Sequence, residues 1–436
     1  MPSDIRELAW SGTSDEAMAL FDAAVDATAS FHGDPLSLCK AALERDPQLH
    51  AARLLQGHIL AFSLNAPFRA AATRAIAPLD APTAPLLERE AMHKQAIEAW
   101  LVGEPARASD ILADIAERWP GDLMAIFFGH QADFFAARNA AMLPRLDRIL
   151  SSWSADRPGH SWLLGMRAFA LEEAGIYGEA EELALEAVER QPLDAWAIHA
   201  RGHVLEMQGR AGEGIEWYRS TEAQWSKDCF FSVHNWWHRA LYHLDREEHD
   251  EALALYDRGI APDDRSISLN LCDAVALLWR LWLRDVDTGD RWRSLAGRFA
   301  VHSETPCHVF NDVHAGIAFA GSGQREMFDE HRRRLADLAV SSSGHGSMLR
   351  ELGLPVVDAM DALVRGQEES AADLLASAMP HEALMTGSHA QRDILALTLI
   401  EAQLRCGRRQ DARRLLEKRS EARPHSAWIA RDLARC

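Results

Sequence analysis

The sequence predicts an all-α fold: an α-solenoid of stacked antiparallel helix pairs curled into a superhelix. Three observations predict it. Ala, Leu, Arg and Glu fill the chain in stripes of helical period, and almost nothing alternates with period two. The helices are short and come in pairs. The chain also repeats itself: laying the segment from His160 on the segment from Asp194, a shift of 34 residues, puts Ala168 on Gly202, Leu171 on Leu205, Gly175 on Gly209 and Ala180 on Gly214.

The repeated unit is a small residue, a turn glycine about seven residues later, and a second small residue twelve after the first. In chain order it is met at Ala96 and Ala108 around Gly103, Ala168 and Ala180 around Gly175, and Gly202 and Gly214 around Gly209. It returns at Ala240 and Ala252, and at Ala359 and Ala371 around Gly366. Weaker copies are Gly316 with Phe328 around Gly323 and Ile400 with Ala412 around Gly407. Pro120, Pro192 and Pro424 close units twelve residues after the second small position. Two antiparallel helices approach closely only where small side chains face each other, with Gly turning the chain and Pro stopping the second helix. One pair cannot bury its apolar face alone, so pairs stack. This is the tetratricopeptide pattern, read as one domain over residues 1–436. Five stretches read as irregular: 65–86 with four prolines, 151–160, 286–306, 341–347 and 379–389. Ser341-Ser-Ser-Gly-His-Gly-Ser347 lacks the Gly-Lys-Ser/Thr ending of a phosphate loop and reads as a connector.

Composition bounds the function. Of 436 residues, 48% are apolar and 25% charged, as in an ordinary globular chain. The 65 acidic against 46 basic residues, a formal charge of −19, argue against nucleic acid or an anionic membrane as partner. The Arg-rich stretch from Arg405 to Arg435 alternates with acids and reads as a solvated helix face. No run is long and apolar enough to cross a membrane, and the N-terminus lacks the pattern of a signal peptide, so the expected location is cytoplasmic. Six cysteines lie far apart without a C-x-x-C pair and read as reduced thiols.

The histidines are clustered. His199, His203 and Glu206 share one face of a first helix. His234-Asn235-Trp236-Trp237-His238 falls on the first helix of the next unit, so four imidazoles and a carboxylate converge if the helices stack side by side. Phe310-Asn311-Asp312-Val313-His314 lies on a later first helix, and His389-Ala390-Gln391-Arg392-Asp393 starts a helix near the C-terminus. The i, i+4 pairs His199/His203 and His234/His238 are sterically sound for a divalent metal, although no H-E-x-x-H string is present. His199 and His203 could equally be groove-facing polar residues satisfied by Glu206 and water. Trp196, Trp225, Trp236 and Trp237 read as packing between units, and Arg392 as either an anion-binding residue or a helix cap.

The strings His199-x3-His203-x2-Glu206-Met207, His234-Asn-x-Trp237-His238-x-Ala240-Leu241, Phe310-Asn311-Asp312-x-His314 and Gln391-Arg392-Asp393 resemble the tetratricopeptide-repeat protein 38 family, in the same order over most of the chain. The resemblance implies an α-solenoid and brings no settled activity with it. Two functions of different class follow from the residues. The first is a small-molecule site inside the superhelix, with acid/base catalysis of hydrolysis, elimination or isomerisation. His203, His238, Glu206, Asp312 and His314 would be its catalytic groups. His199, His234, Asn235, Trp237, Asn311, Gln391, Arg392 and Asp393 would bind the ligand, with a divalent metal the one cofactor the histidines suggest. The second is a non-catalytic scaffold holding a protein or peptide in its concave groove. Only four lysines are available for the basic grooves such scaffolds use.

Overall fold

A computed structural model of the chain describes residues 1–82, 85–261 and 267–436. It is all-α, a tetratricopeptide-like solenoid of stacked antiparallel helix pairs. Among the described residues the only β pairing is two isolated bridges, Ser3 with Ala9 and His32 with Cys229. The packing falls into two units, Met1–Arg201 with Lys227–Phe231, and Gly202–Ser226 with Ser232–Cys436.

In the first unit the helices are α1 (Asp15–Ser30), α2 (Pro35–Arg45), α3 (His50–Phe62), α4 (Ala66–Ile76), α5 (Glu88–Leu101), α6 (Pro105–Arg118), α7 (Leu123–Phe135), α8 (Asn139–Leu150), α9 (His160–Glu173) and α10 (Tyr177–Arg190). The first turns of α11 (Ala195–Met207) complete it. Asp122 and Asp194 start α7 and α11 by accepting from the backbone N–H three residues on, at 2.9 and 2.8 Å, as N-cap residues do. The pair α5–α6 turns at Gly103 and α9–α10 at Gly175, both with positive φ. The pair α7–α8 has no glycine at this turn: Ala137, one 34-residue step after Gly103, takes φ 60° instead. The same step carries Ala96 and Ala108 onto His130 and Met142. Two large side chains thus stand where α5–α6 and α9–α10 have alanines, and α7 and α8 approach less closely.

The second unit holds the end of α11, then α12 (Ala211–Ser220), α13 (Glu222–Trp225), α14 (Ser232–Asp245), α15 (His249–Leu255), α16 (Ser268–Trp282), α17 (Arg291–Ser303), α18 (Val309–Gly321) and α19 (Arg325–Ala339). After them come α20 (Gly344–Met348), α21 (Leu354–Val364), α22 (Glu368–Ala378), α23 (His389–Arg405), α24 (Arg409–Ala422) and α25 (Ala427–Arg435). Gly202 and Gly214 mark the closest approaches: a Cβ on Gly202 would lie 2.1 Å from the Tyr218 hydroxyl, and one on Gly214 2.3 Å from the Tyr242 ring. Tyr242 uses the space to donate to the Gly202 carbonyl at 2.5 Å. Glu247, with φ 62°, takes the turn position between Ala240 and Ala252.

Four of the stretches read as irregular contain helical structure. Residues 65–86 include α4 and a 3-10 turn at Ala77–Leu79, because Pro67 and Pro78 fall in first turns, where no backbone donor is needed; Thr83 and Ala84 lie outside the described residues. Residues 286–306 include α17, whose buried Trp292, Leu295, Ala296 and Phe299 follow helical spacing. Residues 341–347 enter α20, and Met379–Met385 is a 3-10 turn. The stretch 151–160 is turns up to the start of α9. All six cysteines are free thiols.

Candidate imidazole and carboxylate site

The second unit brings together groups from four helices. From α11 come His203 and Glu206, from α14 His234 and His238, from α16 Asp273 and Arg280, and from α23 His389, Arg392 and Asp393. His203 and His238 are fully buried, their rings edge to face with centroids 4.4 Å apart. His238 Nδ1 lies 3.0 Å from a Glu206 oxygen, and His234 Nδ1 lies 2.8 Å from a carboxylate oxygen of Asp273. The two Nε2 atoms face each other at 3.1 Å. One ring nitrogen from each of His203, His234 and His238 lies within 4.8 Å of the others, so these three are the residues of this unit able to share one cation.

Burial sets the protonation of the cluster. Removal from water, with the charges of His238 and His234 beside it, pulls His203 well below the ordinary imidazole value. Burial and His234 do the same to His238, and Arg280 adds to it. Burial pushes Glu206 up to about 6, with the guanidinium of Arg423, 3.8 Å away, opposing. Behind Glu206 lies a buried ion network. Arg419 binds both oxygens of Asp393, and Arg423 stands 3.7 Å from the same carboxylate. Burial would raise the Asp393 carboxyl, but the two guanidiniums outweigh it and hold it below its usual range. Arg419 and Arg423 therefore correct the reading of the Arg-rich stretch as a solvated face: part of it turns inward. Arg280 donates to the carbonyls of Ala276 and Ala390 at 3.0 and 2.8 Å, and burial lowers its pKa to about 10. A recess beside Glu206, bordered by Tyr242, Asp245, Arg280, Asp393 and Arg423, encloses about 30 Å³, room for one or two waters.

The remaining residues singled out in the sequence sit as follows. Trp237 is buried under His234, with ring centroids 5.2 Å apart, and the Arg280 guanidinium lies over the Trp237 ring, 5.4 Å from its centroid. Asn235 is buried, and neither of its side-chain polar atoms has a partner among the described residues. His314 donates from Nδ1 to the Phe310 carbonyl at 2.7 Å, and burial pushes it down to about 4. Asp312 binds His345 at 2.7 Å, while its carbonyl accepts from His331. Asn311 accepts a long contact, 3.7 Å, from the Cys272 thiol. Gln391 forms a capping box with Ser388, and Arg392 reaches the Gly387 carbonyl and His389 Nδ1. His199, on α11, belongs to the first unit, where its ring stacks on Phe169 and packs against Trp196 and Phe231. Trp196, Trp225 and Trp236 are core packing. Sequence reasoning missed Asp273, Arg280, Arg419 and Arg423. Arg280 left a signal: a lone charge in the middle of the most apolar stretch, Val275–Leu283.

The first unit carries a larger recess, of about 380 Å³, between α6 and α8 over α7. Leu112, Ala113, Ala116, Met142 and Ile149 line it, and His130 forms its floor beside Asp133 and Arg145. Asp133 accepts from Ser109 at 2.6 Å and from Arg145 at 2.7 Å. Neither ring nitrogen of His130 has a partner among the described residues, and burial pushes its pKa down to about 3. This group left a trace in the 34-residue step, an imidazole where the repeat wants a small residue.

No protein-family model matches the chain. Among solved structures it is similar to the APC/C hetero-tetramer Cut9–Hcn1, at 14% identity and TM-score 0.46, over 96% of this chain and 76% of that one. It is also similar to the TPR domain of P58(IPK), at 13% identity and TM-score 0.23, over 80% of this chain and 88% of that one. No helix among the described residues is long and apolar enough to cross a membrane.

Proposed function

We propose that this chain is a repeat scaffold that takes a segment of a protein or peptide partner, with the recess between α6 and α8 seating an apolar side chain of that partner. The observation that carries the reading is the recess over α7, which offers about 380 Å³ with apolar walls, room for a large apolar side chain. The sequence strings quoted above support membership in the tetratricopeptide-repeat protein 38 family, and six free thiols support a reducing, cytoplasmic setting.

A second reading, an acid/base site for a small polar molecule, is favoured by the direct contact between Glu206 and His238 at 3.0 Å, the pairing a proton-transfer site uses. One experiment separates the two. Peptides selected by display on the full chain should lose binding in Ala113→Trp, which fills the recess from a half-buried wall position, and keep it in His238→Ala. Selected peptides that bind Ala113→Trp as well as the wild type would overturn the scaffold site. A small polar metabolite whose binding is lost only in His238→Ala would establish the second reading in its place.

A further inference from the structure

We propose that His203, His234 and His238 bind a divalent transition metal of the zinc class. The inference stands apart from the scaffold reading, because it uses none of the recess over α7.

The ligand atoms are already gathered. A tetrahedral zinc site with metal–nitrogen bonds of about 2.0–2.1 Å needs its nitrogens about 3.3 Å apart. The facing Nε2 atoms of His234 and His238 stand at 3.1 Å, and the three rings offer nitrogens within 4.8 Å of one another.

The second observation is which nitrogens face inward. An ionised carboxylate can only accept, so Glu206 and Asp273 each fix their imidazole with the proton on Nδ1. Both Nε2 atoms then present lone pairs, and they present them to each other. Two acceptors 3.1 Å apart repel unless something positive lies between them: one extra proton or a metal ion. A carboxylate holding the far nitrogen of each ring is the support that metal-bound histidines have, setting tautomer and ring direction together. Here it comes from two different helices, α11 and α16. The two carboxylates also supply the charge that offsets a divalent cation in a buried place.

The donor set chooses the class of metal. Neutral imidazole suits zinc and its neighbours cobalt, nickel and copper, while magnesium and calcium require oxygen ligands. Three protein ligands leave a coordination position for water or another group.

The test uses the tag-free full chain, stripped with chelator and titrated with Co²⁺, whose visible absorption reports a low-coordinate nitrogen site, followed by Zn²⁺ displacement. One equivalent should bind and be displaced. His234→Ala and His238→Ala should each abolish the absorption, and Asp273→Asn should weaken affinity about 10–100-fold with the ligands intact. His345→Ala, on a histidine paired with Asp312, should leave the titration unchanged. Circular dichroism checks that each variant is folded, and Asp273→Asn keeps the question open to test should a histidine variant unfold. A folded wild type that takes up no stoichiometric Co²⁺ or Zn²⁺ would overturn the proposal. So would an absorption that persists in the double variant His234→Ala/His238→Ala, which would mark an adventitious ion only.

Discussion

Replacing His130 by leucine should make the chain more resistant to acid. The imidazole is buried at the floor of the recess between α6 and α8, and burial holds its pKa near about 3 against 6.5 for the free group. In the native state the ring stays neutral while pH falls; in the unfolded chain it takes up a proton once pH drops below 6.5. The unfolded state therefore binds more protons across this window, and native stability declines from pH 6.5 downward until the folded value is reached. Between pH 7.5 and pH 5 the imidazole titrates over about 1.5 units in the unfolded chain alone, which removes about 2 kcal/mol. Leucine removes that contribution. Urea unfolding followed by tryptophan fluorescence at pH 7.5, 6 and 5 would give the stability difference between variant and wild type at each pH. That difference should shift by about 2 kcal/mol in favour of His130→Leu on going to pH 5. Other titrating groups are common to both chains and cancel. A difference that stays constant with pH would refute the reasoning, because it would mean that water reaches the ring and lets it protonate within the fold.

Three further outcomes follow from packing. Ala137→Gly should stabilise the chain by about 1 kcal/mol in thermal or urea unfolding, since Ala137 holds φ 60° at a turn that glycine occupies elsewhere. Gly214→Ala should cost about 1–3 kcal/mol, because the added methyl would meet the Tyr242 ring and displace its bond to the Gly202 carbonyl. Asp432→Ala should cost about 3–5 kcal/mol by leaving Arg284, stacked over Trp428 and bonded to Asp432 at 3.0 Å, as a buried charge without its carboxylate. The double variant Arg284→Met/Asp432→Ala should recover much of that loss.

The repeat was legible because its signals are local. A small residue, a glycine and a second small residue at fixed spacing need no knowledge of the rest of the chain, and α5–α6, α9–α10 and α21–α22 follow them directly. Where the chain uses other chemistry for the same turn, at Ala137 and Glu247, those signals weaken or vanish, since a left-handed alanine or glutamate looks ordinary in sequence. The histidine groups on α11 and α14 were legible for the same reason: one-turn spacing places them on a face. Their partners were not. Asp273 and Arg280 lie on α16, Arg419 on α24 and Arg423 just past its C-terminal end, and only stacking decides that these residues meet His234, Glu206 and Asp393. Gln391 shows the converse, a residue that reads as a binding group and serves as a helix cap.

The central chemical claim is that imidazoles from α11 and α14 gather around one cation. X-ray absorption at the zinc edge of the loaded, tag-free chain tests it most directly. The expected spectrum has a first shell of at least three nitrogens at about 2.0–2.1 Å and the outer-shell scattering of imidazole rings, lost in His234→Ala/His238→Ala. A shell of oxygens or sulfurs without imidazole scattering would contradict it.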